Sequence, residues 1–287
     1  MQCGAPPARQ RGNLMPATYA HYRFGQAVLA RLPERERKII SSEQELFSIG
    51  LHGPDILFYY RPLSSNPICK TGYDMHNQPG LAFFQAAGDR LKAQHFAPAP
   101  TAYLYGFLCH FALDVACHGY VGEKEAASGV SHGEIETEFD RFLLTEEGRD
   151  PVKASITGHF HPSRRSAEVI AGCFGNLSPG EVLEALRSFR FFHWLFLAPS
   201  RVKRGALFAG LKLAGQYDAM RGLVMNRTPN PLCQDSCLRL QALSREAEDT
   251  ALRLIPGFRD TVSGSIPWDG IYQYDFSSQY KGGNHEV

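Results

Sequence analysis

With 287 residues, 44% of them hydrophobic, the chain can bury one sizeable core or two small ones, and a single compact helical body is expected. Thirty Lys+Arg against 29 Asp+Glu leave a formal charge of +1, which excludes a global field drawing the protein onto nucleic acid or anionic lipid. Any anionic substrate has to be caught locally.

Residues 1–14 are rich in Gly, Pro, Gln and Arg without periodicity. They read as a disordered leader or as an overcalled start upstream of Met15. No apolar stretch follows Arg9 and Arg11, so no secretory signal is expected. Apolar residues at helical intervals predict a helix over 19–32, stopped by Pro33, and a second short helix over 42–50. Residues 51–79 hold four prolines and two glycines, which predicts a loop-dominated segment with one short apolar helix at 56–60. Helical patterns resume over 80–94, 101–121 and 132–144. Another helix starts at Ser178-Pro179-Gly180-Glu181, a capping box with proline in the first turn. Further patterns cover 201–223 and 231–254. Strand-like alternation persists nowhere, so the expected fold is all-α: a helical domain over 15–255, then an aromatic tail over 256–287 (Trp268, Tyr272, Tyr274, Phe276) lying across it. The seven cysteines follow no paired framework and argue for a reducing compartment. Cys109 and Cys117 read as small core hydrophobes, Cys233 and Cys237 as inert. No stretch approaches the roughly 20 apolar residues that span a bilayer, and a cytoplasmic protein is expected.

Chemistry concentrates in the first half. His110, Asp114 and His118 recur every four residues inside an apolar helix, so at about 100° per residue all three project from one stripe. Burying Asp114 unpaired would be expensive; flanked by imidazoles it calls for a cation or a dense hydrogen-bond network. His132 and Glu136 repeat the spacing behind Ser131, a suitable cap. Asp55 after Gly53-Pro54, and His76, add an acid and an imidazole from the loop segment, and His21 adds one from the first helix. Imidazole donors favour zinc over magnesium, with iron and manganese as alternatives.

In this order the residues resemble the zinc-dependent phospholipase C family, whose all-helical bundle is shared with the P1-type nucleases. The resemblance covers about 15–144. It implies that Asp55, His76, His110 and Asp114 hold one zinc ion and that His118, His132 and Glu136 hold a second. His21 and Asp114 would hold a third, completed in the family by the amino group and carbonyl of an N-terminal tryptophan. Met1 lies far from His21 and no tryptophan is near. A start at Met15 with removal of that Met would free the Pro16 amine five residues before His21, so two zinc ions are expected and a third is conditional on a free Pro16. The gap from Asp114 to His118 is also shorter than in secreted members. His52 is an alternative ligand beside Asp55. His159 and His161 fall in a loop without a nearby acid, and His95, His193 and His285 read as structural or exposed.

The expected activity is phosphodiester hydrolysis of a phospholipid-like substrate by a metal-activated water, with Asp55 as general base and ligand. A nuclease or nucleotide phosphoesterase is the alternative, with Phe58, Tyr59, Tyr60 and Tyr73 as candidate base-stacking aromatics. A non-catalytic zinc scaffold is the other. The expected partner is a small-molecule or lipid phosphoester, with no stable nucleic-acid complex and at most peripheral membrane contact. The apolar run at 191–197 with Arg201, Lys203 and Arg204 would make such a contact, although a core helix with a solvated basic end is the favoured reading.

Overall fold

The computed structural model describes residues 17–282. The expectations for 1–14, Pro16 and His285 lie outside the described residues. Among the described residues the fold is all-α, with no strand and a single isolated bridge between Tyr274 and Tyr280.

Helix α1 (Thr18–Arg31) ends before Pro33 as the sequence dictates, but two short helices follow instead of one: α2 (Glu34–Ser42) and α3 (Gln44–Gly50). In α2 only Glu36 and Ile40 are buried, too few for apolar periodicity to reveal it. The segment 51–79, expected to be loop-dominated with one short helix at 56–60, holds two helical elements. A 3-10 helix (Gly53–Tyr59) and helix α4 (Pro67–His76) occupy it. Pro67 starts α4 rather than breaking it, because the first helical residue needs no donor; the Asn66 side chain accepts from the Cys69 N–H.

After α5 (Gly80–Ala93), helix α6 (Pro98–Ser128) is the axis of the molecule. Its 31 residues span about 46 Å, and from Pro100 to Asp114 every side chain is buried, as expected of a helix apolar on all sides. α3 crosses it at backbone contact. A Cβ on Gly50 would stand 2.2 Å from the Tyr103 carbonyl oxygen, and one on Gly106 2.2 Å from that of Phe47; only paired glycines allow the approach.

Next come α7 (His132–Glu146) and α8 (Arg164–Phe174), which the apolar pattern did not predict although Ser163 and Ser166 form its capping box. The box at Ser178 and Glu181 opens α9 (Pro179–Phe196) as expected. The pattern at 201–223 resolves into α10 (Arg201–Leu213), α11 (Tyr217–Met220) and one 3-10 turn. The last helix, α12 (Gln234–Ser263), runs through Pro256, past the expected end at 254. The buried Phe258, Thr261 and Val262 beyond Pro256 offset its missing hydrogen bond. The tail then returns over α6, burying Tyr272 and Phe276.

The six described cysteines are free and buried. Burial pushes the Cys109 and Cys117 thiols up, Cys233 to about 11 and Cys237 to about 12, which keeps them inert. Among the described residues no helix is long and apolar enough to cross a membrane.

Candidate metal centre

Four elements converge on the stripe of α6 that carries His110, Asp114 and His118. α1 delivers His21, the Gly53–Tyr59 turn delivers Asp55, α4 ends on His76, and α7 brings His132 and Glu136. Seven of the eight are buried, and the His132 side chain is 20% exposed. Asp55 and His76 therefore come from helical backbone and not from the loop expected for them. Gly53 makes the approach possible. Its φ is +43°, and a Cβ there would lie 2.2 Å from the His110 ring, so any larger residue would push Asp55 away from α6.

The donors form three groups, each with its ligand atoms within 4.8 Å of one another: His21, His110 and Asp114; Asp55, His76 and His110; His118, His132 and Glu136. His21 Nε2 stands 3.2 Å from Asp114 Oδ1, and His110 Nε2 stands 3.0 Å from Asp114 Oδ2 and 3.8 Å from Asp55 Oδ1. His76 Nε2 is 3.0 Å from Asp55 Oδ1. Glu136 Oε1 is 3.2 Å from His118 Nε2 and 3.3 Å from His132 Nε2.

Despite these distances, Asp55 Oδ1, His76 Nε2, His110 Nε2, Asp114 Oδ2, His132 Nε2 and Glu136 Oε2 have no hydrogen-bond partner. They are close but not aimed at one another. Two donors about 2.0–2.1 Å from one tetrahedral zinc stand about 3.3 Å apart, which matches these separations. The donor set therefore fits zinc, and six orphaned buried atoms are hard to account for otherwise.

The electrostatics point the same way. Burial opposes charge on His21 and His76, but Asp114 and Asp55 outweigh it and raise both imidazoles above their ordinary value. His118 is lifted against burial to about 10 by Asp114 and Glu136. Burial would raise the two acids, yet His110 and His118 hold Asp114 well below its usual range, and His132 and His118 hold Glu136 at about 2. The site is built to hold positive charge among ionised carboxylates, a field that a divalent cation satisfies.

An outer layer orients the donors. His118 Nδ1–H donates to the Phe276 carbonyl at 2.6 Å and His76 Nδ1–H to that of Gly72 at 2.8 Å, leaving each Nε2 for the centre. On α7, one turn beyond Glu136, the buried Asp140 accepts from the Tyr19 and Ala20 N–H groups at 3.0 and 2.7 Å. It thereby holds the first turn of α1 and with it His21. Sequence reasoning missed Asp140, although it continues the every-four series of His132 and Glu136. The carbonyl of Phe276 carried no such signal.

The remaining histidines lie elsewhere. His52, the alternative ligand, pairs Nε2 to Nε2 with His159 at 2.9 Å and joins no donor group. His193 accepts from Thr18 Oγ1, and His95 and His161 are exposed. Of the candidate stacking aromatics, Phe58 and Tyr60 are buried in the core, the half-buried Tyr73 packs on Phe58, and the buried Tyr59 borders a cavity. A cavity of about 480 Å³ borders α7 at Thr137 and Asp140 and opens past Arg190, Phe191 and Trp194; none of the eight donor residues lines it.

Fold and donor set together define a helical protein with three converging His/carboxylate groups that could hold metal ions. A sequence model of the zinc dependent phospholipase C family matches residues 20–185, more than half of the chain and all eight donors, and the chain belongs to that family. Comparison with curated proteins and with solved structures gave no match.

Proposed function

We propose that the protein is a zinc-dependent phosphodiesterase whose metal ligands are His21, Asp55, His76, His110, Asp114, His118, His132 and Glu136, with a phospholipid-like phosphoester as substrate. The observation that carries this reading is the convergence of buried, unpartnered donor atoms at zinc-edge spacing. Two ions would be held by Asp55, His76, His110 and Asp114 and by His118, His132 and Glu136; His21 with Asp114 offers part of a third site. Bound zinc supplies Lewis acidity that lowers the pKa of water and neutralises charge on phosphoryl oxygens.

Asp55 acts on the proton. Its Oδ1 faces His76 and His110 without a hydrogen bond, which leaves its carboxylate available to take the proton of the water that attacks phosphorus. His76, fixed through Nδ1 by Gly72, keeps its Nε2 3.0 Å from that oxygen. The enclosing core excludes bulk water and strengthens each of these interactions.

Chelator should abolish turnover of bis-p-nitrophenyl phosphate and added zinc restore it; bound zinc without turnover would favour a scaffold instead. Asp55→Asn should lower turnover about 100-fold or more with a smaller loss of bound metal. Equal loss of both would remove the base role.

A further inference from the structure

The edge formed by α9 and α10 reverses the usual surface pattern. The outward stripe of α10 is Val202, Ala206, Ala209 and Leu213, spaced at helical intervals and all exposed, Val202 by 83% and Leu213 by 91%; α10 has no buried residue. Beside it, α9 presents Arg187, Arg190, Phe191 and Trp194 on one exposed face, Trp194 at 61%. The run read on sequence alone as a core helix with a solvated basic end is thus two-faced: Phe189 and Phe196 pack into the core, while Phe191 and Trp194 face out. Between the helices runs an apolar groove of about 450 Å³, lined in part by Phe192, Leu195, Leu207 and Leu211, with the 75%-exposed Leu63 at its side.

Charge identifies the occupant. From 185 to 217 the chain carries six cations and no acid, although the whole molecule is near neutral. Lys203 and Arg204 are tied to backbone carbonyls, with the Lys203 ammonium over the Trp194 ring. Arg187, Arg190, Arg201 and Lys212 are exposed and form no ion pair among the described residues, the Lys212 ammonium lying over the Tyr217 ring. Exposed aromatic and aliphatic side chains rimmed by cations without acidic partners match the interface of an anionic bilayer, where tryptophan sits at headgroup depth and cations meet lipid phosphate.

We propose that α9 and α10 dock the protein onto anionic membrane surfaces. The proposal rests on the phosphodiesterase reading only for its purpose, that of presenting a lipid phosphoester. Binding is measurable without turnover. Full-length wild-type protein should co-sediment with vesicles of phosphatidylcholine and phosphatidylglycerol (3:1), bind vesicles of phosphatidylcholine alone far more weakly, and release as salt rises. Trp194 emission should shift to the blue on binding, and Trp194→Phe should abolish the shift while leaving most of the binding.

The double variant Trp194→Ala/Leu213→Ser should weaken vesicle affinity about ten-fold or more, with unchanged melting and unchanged turnover of bis-p-nitrophenyl phosphate. Three outcomes would overturn the proposal: no binding to anionic vesicles, binding that the double variant leaves intact, or a dimer in solution that the double variant dissolves while vesicles stay unbound. Loss of metal-dependent turnover with vesicle binding retained would count against the phosphodiesterase reading alone.

Discussion

Two sets of histidines share the core and have opposite character. In the candidate metal centre, imidazoles alternate with Asp55, Asp114 and Glu136, and donor atoms are left unpartnered. In the second set, His52, His159 and His193 have no carboxylate among them and are satisfied. His52 and His159 bond to each other, while His193 Nδ1–H donates to Phe189 and its Nε2 accepts from Thr18. Burial and neighbouring imidazoles push His52 well below its ordinary value and His159 to about 3; burial alone takes His193 to about 4. Burial thus leaves cation-seeking imidazoles in one place and imidazoles that stay neutral well into the acid range in the other. What differs is the partner.

The largest effect should come from exchanging partners across this divide. Asp114→Asn removes the carboxylate shared by His21, His110 and His118 and should cost turnover about 1,000-fold together with bound zinc, by metal analysis and phosphodiesterase assay. His52→Gln should leave zinc content unchanged and lower stability by about 1–3 kcal/mol in urea unfolding, from a lost buried pair. Zinc loss in His52→Gln would break the distinction.

A smaller effect concerns acid. His159 and His193 have native pKa values below the ordinary 6.5, so they cost nothing above that pH. As pH falls below 6.5 the unfolded chain takes up protons that native His159 refuses until about 3 and native His193 until about 4. Stability is therefore lost through that window, by up to about 1.4 kcal/mol per pH unit for each imidazole. His193→Gln should flatten the slope between pH 6.5 and 4 relative to wild type. An unchanged slope would mean that His193 is protonated in the native state.

The smallest sharpens the role of the tail. Ser278 Oγ accepts from the Gly119 N–H and donates to the Val115 carbonyl, pinning the segment whose Phe276 carbonyl orients His118. Ser278→Ala should cost about 1 kcal/mol of stability and weaken zinc retention in a chelator competition, with His52→Gln as the unaffected control.

The helical class, the capping box at Ser178 and the every-four spacing of His110, Asp114 and His118 were legible in the sequence because they are local. Periodicity and end chemistry act over a few residues, and one turn of helix brings i and i+4 together whatever else the chain does. α2 and α4 were not legible, since one is charged and the other is punctuated by Pro67 and Gly72. Local order could not say that Asp55 and His76 reach α6 through a glycine pressed on His110. Nor could it say that Asp140 holds α1, or that a carbonyl 158 residues away in sequence orients His118. The sequence by itself determined which donors exist and which of them share a helix face. The tertiary structure alone decided which imidazoles meet carboxylates and which meet one another, because that choice depends on packing between elements far apart in the chain.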